Sequence, residues 1–322
     1  MIAELEVNPR RAYTEMASNL GLSRDTVRVR LQRLLDGRAV RIVGVADPLS
    51  VGYATCVIMG INVRPDRLLA VADTLAAMKP VQHLMLCMGR FDIIAFAVFR
   101  KRADFLDFLV GRIGSLTGVL HFESMLTLKH TKICGPLLSD LPDACRQQTP
   151  VAELDSLDFA LMKELQADAR QNSRQLAKKL KTSQSTVLRK IQALQNSGVM
   201  RIVTLANPLA LDFEGIASVG MRFDPDKVNE GAQVIGSHRN VQTVAVCAGR
   251  YDVIAWVMFR EIGDLSSFIT VELGSIAGLQ HSEIMTSLKI IKASHAYIED
   301  ETSLPADPAE ETTRGRGRSS KK

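Results

Sequence analysis

Apolar positions along the chain change period several times, and the changes come in the same order twice. In LDSLDFALMKELQADAR, Leu154, Leu157, Leu161 and Leu165 stand three or four apart, which draws one apolar stripe along an amphipathic helix. SRQLAKKLK follows with Leu176, Ala177 and Leu180 facing inward and Ser173 as an N-cap. After a tight break, SQSTVLRKIQALQNSG opens on a second capping serine, Ser183, and carries Val187, Ile191 and Leu194 on one stripe up to Gly198. Three short helices with a tight turn before the third read as a helix-turn-helix. The earlier stretch TEMASNLGLSRDTVRVRLQRLLDG repeats the pattern with Val27, Leu31 and Leu34 inward, so that Asp25, Val29 and Gln32 point outward.

Beyond the third helix the pattern becomes β-rich. AVRIVGVADP and VMRIVTLANP suit a short wing or connecting strand ending at Pro48 and Pro208. The next segment alternates strand, helix, strand, strand, helix, strand. ATCVIMGINV leads to RPDRLLAVADTLAAM, with Pro65 at the helix start, and then VQHLMLCM and IIAFAVF flank a GRFD turn. The helix ADFLDFLVGRIGSL and the strand HFESMLTLKH complete it. That order predicts a ferredoxin-like βαββαβ unit, an antiparallel sheet with two helices on one face.

The whole phrase returns after a constant offset of 160 residues: CMGRFDIIAFAVFR from Cys87 becomes CAGRYDVIAWVMFR from Cys247, and the stretch from His121 to Lys132 becomes that from His281 to Lys292. A period this long marks a duplicated domain pair, since solenoid units run to roughly 20 to 50 residues. The fold class expected is therefore α+β, two repeats of a winged helix-turn-helix followed by a ferredoxin-like domain. The boundaries expected are 1–49, 50–133, a linker at 134–152, then 153–209 and 210–296, with a disordered tail at 297–322 that is first acidic and then basic. The first copy begins at the equivalent of Leu161, so its first helix is truncated; either the true start lies upstream or this helix-turn-helix leans on its neighbour. A linker of about 20 residues reaches up to roughly 65 Å when extended, enough for the two copies to pair within one chain.

Composition narrows the class further. The longest apolar runs fall far short of the roughly 20 residues a membrane helix needs, and no apolar signal core opens the chain, so no membrane association and a cytoplasmic location are expected. Five cysteines without a CxxC spacing argue against a disulfide framework and a zinc site, and Cys87 and Cys247, inside apolar strands, read as buried, inert thiols. The net charge of +5 matters through its placement. From Arg170 to Arg201 there are eight basic residues and no acidic one, and the matching stretch from Arg10 to Arg41 has eight basic and three acidic, a phosphate-meeting patch at the start of each copy. At the far end, six acids in IEDETSLPADPAEE precede TRGRGRSSKK, readable as a solubilising end or as an arm for a narrow minor groove.

These features place double-stranded DNA among the partners. A third helix of this kind lies in the major groove with its exposed N-terminal half over base edges and its arginines on phosphates or guanine. The DNA-reading candidates are Ser23, Arg24, Asp25, Thr26, Arg28 and Arg30 in the first copy, and Ser183, Gln184, Ser185, Thr186, Arg189 and Lys190 in the second. Arg24, Asp25 and Arg28 stand against Gln184, Ser185 and Leu188, so two unlike half-sites are expected. His121-x-Glu123 and His281-x-Glu283 place two polar side chains on one strand face, an arrangement that fits a structural or interfacial role better than a metal site. No Ser/His/Asp order, phosphate-binding glycine loop or paired-carboxylate constellation is apparent, and no catalytic residue, metal or cofactor is expected.

The phrases SQSTVLRKIQALQNSGV, GRYD and TSLKIIK, with LSRDTVRVRLQRLLDG, GRFD and TLKHTK, resemble the leucine-responsive/asparagine regulator (Lrp/AsnC) family of transcription factors, here as a fused tandem. The resemblance implies DNA binding, sheets that pair between units, homo-oligomers and a small-molecule effector, often an amino acid. It also implies that the hairpin turns Gly89, Arg90, Phe91, Asp92 and Gly249, Arg250, Tyr251, Asp252 border the effector pocket. Phe91 and Tyr251 differ by a hydroxyl, so the two pockets are expected to be unequal. Sirohaem decarboxylases are built from paired domains of the same family. Their Arg-Arg-aliphatic-Gly-Ala phrase and Asn-Met-Val-Trp-like strand are not found: RIVGVADPLSVGY and RIVTLANPLALDF stand there instead.

Overall fold

The computed structural model describes residues 1–37, 39–136, 138 and 153–294. The acidic stretch from 299 onward and the RGRGR segment of the tail lie outside the described residues, as does most of the expected linker. Helices α1 (Ile2–Val7), α2 (Tyr13–Leu20) and α3 (Arg24–Asp36) precede strand β1 (Val40–Ala46) in the first copy. The second copy has α6 (Ser156–Ala167), α7 (Ser173–Lys179), α8 (Gln184–Asn196) and β6 (Met200–Ala206). Helix α1 has six residues and its counterpart α6 has twelve. Helix α7 starts one residue earlier than the serine suggested: Asn172 is the cap, its side-chain oxygen accepting from the Arg174 and Gln175 amides while Gln175 returns a bond to the Asn172 amide. Ser23 and Ser183 cap α3 and α8 as expected.

The remaining elements follow the anticipated order: β2 (Thr55–Val63), α4 (Leu68–Ala77), β3 (Val81–Met88), β4 (Ile93–Phe99), α5 (Arg102–Asp107) and β5 (Val119–Lys132). Their counterparts are β7 (Gly215–Phe223), α9 (Val228–Ser237), β8 (Val241–Ala248), β9 (Val253–Phe259), α10 (Ile262–Ser267) and β10 (Leu279–Ala293). Each copy orders its strands β3-β4-β2-β5 or β8-β9-β7-β10, the ferredoxin-like arrangement. The outward sheet faces pack on helices, with Val57, Leu75, Leu84 and Phe108 buried in one copy and Val219, Ile235, Val244 and Phe268 in the other.

The last strand of each copy is long enough to serve two sheets. The first half of β5 pairs with β2, from Val119 to Leu126, and its second half pairs with β8, from Leu126 to Lys132. The first half of β10 pairs with β7 and its second half with β3. The two sheets thereby close into one eight-stranded barrel made by a single chain. Closure leaves no open edge, the feature by which unpaired strands otherwise recruit other chains.

The β1 and β6 strands pair with each other in a two-stranded antiparallel ribbon, with Val43 opposite Val203. Those two residues are equivalent positions of the repeat, so the internal twofold axis passes between them. The first helices lock the ribbon crosswise. The Ala169 amide after α6 donates to Ile42 on β1, and Thr204 on β6 donates to the Leu5 carbonyl of α1 at 2.7 Å. One core therefore runs from the barrel interior, through Met85, Phe96 and Ile254, to Leu31, Leu161 and Ile191 of the helices. Among the described residues no helix is long and apolar enough to cross a membrane.

Candidate nucleic-acid and effector sites

Helices α3 and α8 present the outward faces that the stripe predicts. Val27 and Leu31, and Val187, Ile191 and Leu194, are buried, which turns Arg24, Asp25, Arg28 and Arg30, and Gln184, Ser185, Leu188 and Arg189, to solvent. Ser23 and Ser183 each accept from the backbone amide three residues on and bond a threonine hydroxyl at 2.8 Å, to Thr26 and Thr186 respectively. Their first role is thus to fix the start of the helix. Arg28 lies 3.7 Å from Asp25, an exposed pair that leaves the guanidinium free to move. Gln184 is drawn back to the Ser173 hydroxyl at 3.0 Å.

Lys190 differs from the other candidates. Its ammonium sits 2.7 Å from Asp155 and 2.9 Å from Asp158, the two acids of the α6 capping box, and its side chain is 15 % exposed. Burial opposes the charge, but hydrogen bonds to Asp155 and then Asp158 outweigh it and hold the ammonium above its usual range. Lys190 therefore ties α8 to α6, whereas its equivalent Arg30 is exposed. A second tie crosses the axis between equivalent arginines. Arg10 donates to the Gln171 carbonyl at 2.9 Å, and Arg170 donates to the Pro9 carbonyl at 3.1 Å while stacking over Tyr13. The sequence marked these two only as members of the basic patches.

At the hairpin turns two motifs that the sequence separates come together. Gly89 and Gly249 have φ of +130° and +153°, and a side chain on either would meet the other copy's backbone, Ile284 at 2.7 Å or Ser124 at 2.9 Å. The turns thus lie against the seam where the barrel closes. There Arg90 bonds Glu123 at 2.8 Å and reaches Glu283 of the other copy at 3.6 Å, while Arg250 bonds Glu283 at 2.9 Å and reaches Glu123 at 3.7 Å. His121 and His281 add contacts to the same two glutamates at 3.5 and 3.2 Å. The His-x-Glu pairs are interfacial, and among the described residues no group of three or more metal-ligating side chains forms.

Phe91 and Tyr251 are buried, their rings lying where a side chain on Gly60 or Gly220 would have to be. The Tyr251 hydroxyl donates to Glu283 at 2.5 Å. Burial works against ionisation of Glu283, yet hydrogen bonds from Arg250, Tyr251 and His281 outweigh it and hold its carboxyl down at about 2. Glu123 is lowered in the same way by Arg90. Asp92 accepts from the Val63 amide at 2.8 Å and Asp252 from the Phe223 amide at 2.9 Å, so each has one oxygen committed to its sheet. Arg222 also lies 3.6 Å from Asp252, whereas Asn62 stands at the equivalent place beside Asp92 and bonds the Arg90 carbonyl instead. The turn of the first copy consequently lacks that guanidinium and is the more open to a cation. Nearby, burial pushes the Cys87 and Cys247 thiols up to about 12, which makes them inert as expected.

Comparison with known proteins matches both halves of each copy. The model of the AsnC-type helix-turn-helix domain matches residues 1–35 and 154–195, and that of the Lrp/AsnC ligand binding domain matches 56–137 and 216–297. An uncharacterized HTH-type transcriptional regulator of Pyrococcus furiosus is 29 % identical over 139 residues, covering 42 % of this chain and 94 % of its own length. The HTH-type transcriptional regulator LrpA of Pyrococcus horikoshii is 30 % identical over 139 residues, 42 % of this chain and 88 % of its own. In fold, the crystal structure of the siroheme decarboxylase NirDL resembles the chain along most of its length, with 16 % identity, coverage of 93 % of this chain and 94 % of that one, and a TM-score of 0.64.

Two outcomes follow from these contacts. Replacing Lys190 with Met strands two carboxylates and should lower unfolding stability in urea by about 1–3 kcal/mol, while Arg30→Met leaves it within about 0.5 kcal/mol; equal effects would deny the clamp. Glu283 has its folded value depressed from 4.5 to about 2, so its contribution is present above the ordinary range and is lost as pH falls through that window. Thermal unfolding at pH 7 and pH 3 should therefore show a smaller acid loss in Glu283→Gln than in the parent.

Proposed function

The chain belongs to the Lrp/AsnC family, with the DNA-binding and ligand-binding domains each present twice, and from that premise we propose that it is a sequence-specific DNA-binding transcriptional regulator acting as an internal pseudo-dimer. The observation that carries this reading is the pair of outward-facing helices α3 and α8, held in one body by the β1–β6 ribbon. Their faces are unlike: copy one offers Arg24, Asp25 and Arg28, and copy two offers Gln184, Ser185 and Leu188, whose apolar side chain is 50 % exposed. Arginine suits the acceptors of guanine, and a leucine suits a thymine methyl. The operator is thus two different half-sites about 10 base pairs, or a multiple, apart.

The effector we infer is an amino acid bound at the hairpin turns, its ammonium at the aspartate and its carboxylate at the turn amides. The absence of Arg222's counterpart favours Asp92 over Asp252 for the ammonium. Cytoplasmic location fits the free cysteines and the DNA partner. Association of whole chains is supported by exposed apolar side chains beside the seam, Met88, Leu126, Leu128 and Leu288. A second reading, an enzyme of the siroheme decarboxylase kind, rests on likeness in fold alone and lacks the phrases expected of such an enzyme. An absorbance change on adding a tetrapyrrole to the purified protein would favour it.

Footprinting should show an asymmetric protected site, and Arg28→Ala or Arg189→Ala should weaken binding by about 1 to 3 kcal/mol at one half-site; a perfect palindrome protected by a single chain would overturn the reading. In a thermal-shift screen of amino acids, a ligand at a hundredfold excess over Kd should add about 2.7 kcal/mol. Asp92→Asn should remove that gain and Asp252→Asn should leave most of it.

A further inference from the structure

The two sheets face each other across the barrel, and between them lies a cavity of about 300 Å³, at the lower end of the range of small-molecule sites. Its walls pair equivalent positions of the repeat: His83 faces the role of Thr243, Phe96 that of Trp256, and His130 that of Ile290. The cavity therefore straddles the internal twofold axis, and it belongs to neither hairpin turn. Divergence has made its two sides chemically different. On the first side Phe96 makes ring contacts with both His83 and His130, at 6.2 and 6.0 Å, and His130 is held 3.3 Å from Asp47. On the second side Asn207 replaces Asp47, Ile290 replaces His130, and the smaller Thr243 and Ala245 replace His83 and Met85, with Thr243 the strand partner of Trp256 and both lining the cavity.

The lining is mostly apolar and aromatic, and its charged side chains are predominantly basic. Arg41 and Lys292 line it together with one carboxylate, Glu6, which already accepts a bond from the Leu138 amide at 2.8 Å. Lys292 is committed to the carbonyls ending α4, Ala76 and Met78, whereas Arg41 is exposed on the ribbon. We propose that this cavity binds one small planar aromatic anion per chain, of the class of aromatic carboxylic acids, with its ring between Phe96 and Trp256 and its carboxylate toward Arg41. Thr204, Leu205 and Ala206 of the ribbon form part of the same wall. A ligand there touches the strand pair that joins the two helix-turn-helix units, so its binding couples to the spacing of α3 and α8. The site is separate from the turns in count as well as place: the axis admits one ligand, and two turns would admit two.

Trp256 is the chain's single tryptophan, and it lines the cavity, so the protein carries its own reporter. The full-length protein should be titrated with 1-naphthoate while Trp256 emission is followed, with calorimetry for the count. Saturable quenching at one equivalent per chain is expected. It should be abolished by Thr243→Phe, which places a larger side chain beside the indole, and weakened about tenfold by the exposed Arg41→Gln, which removes the charge without touching the core. The neutral 1-naphthamide should bind more weakly than the acid. Quenching that survives Thr243→Phe in a folded variant, two equivalents per chain, or equal binding by parent and Arg41→Gln would overturn the proposal.

Discussion

The shared final strand is the constraint on which the molecule rests. A ferredoxin-like sheet that ended β5 at Leu126 would expose β8 of the other copy, and the two sheets would be joined only indirectly, through the β1–β6 ribbon and the helices packed on it. Because β5 and β10 run on for a second half, each sheet completes the other, and backbone hydrogen bonds replace what would otherwise be two open edges. The same crossing places Gly89 and Gly249 against the opposite copy and brings Arg90, Arg250, Glu123 and Glu283 into one cluster. The ribbon of β1 and β6 then carries the symmetry out to the helices, where Arg10 and Arg170 repeat it.

Fusion of the copies in one chain releases their side chains from identity. In a homodimer any change occurs twice, once on each side of the axis; here a change on one side stands alone. The departures sit in places where only side chains matter. Lys190 is clamped while Arg30 is exposed, Arg222 shields Asp252 while Asn62 does not shield Asp92, and the Asp47–His130 pair faces Asn207 and Ile290. The backbone pairings, by contrast, match strand for strand between copies. Divergence has therefore altered side-chain contacts at these places and has kept the strand pairings that hold the halves together.

Much of this was legible in the chain. The helical stripes through Val187, Ile191 and Leu194 and the strand order around GRFD depend on local periodicity, and the constant offset announced the duplication. What was hidden depends on contacts between residues far apart. Nothing in HFESMLTLKH says that its second half pairs with another copy, since period-2 alternation is the same whichever strand lies alongside. Arg90 and Glu123 are 33 residues apart in the chain, and their relation to Glu283 exists only once the barrel closes. Lys190 read as part of a DNA-facing helix because its acid partners lie in α6, a different element. The cap of α7 was misplaced by one residue because Asn172 and Ser173 are both good caps, and the reciprocal bond from Gln175 decides between them.

The central claim is that one chain is an internal dimer whose two reading helices recognise different half-sites. Selection of binding sites from random duplex DNA tests it directly, using the parent and a variant in which Gln184→Arg, Ser185→Asp and Leu188→Arg give α8 the outward face of α3. The account predicts that the parent selects two unlike half-sites and that the variant selects an inverted repeat of the half-site read by α3. Selection of the same operator by both proteins would contradict it.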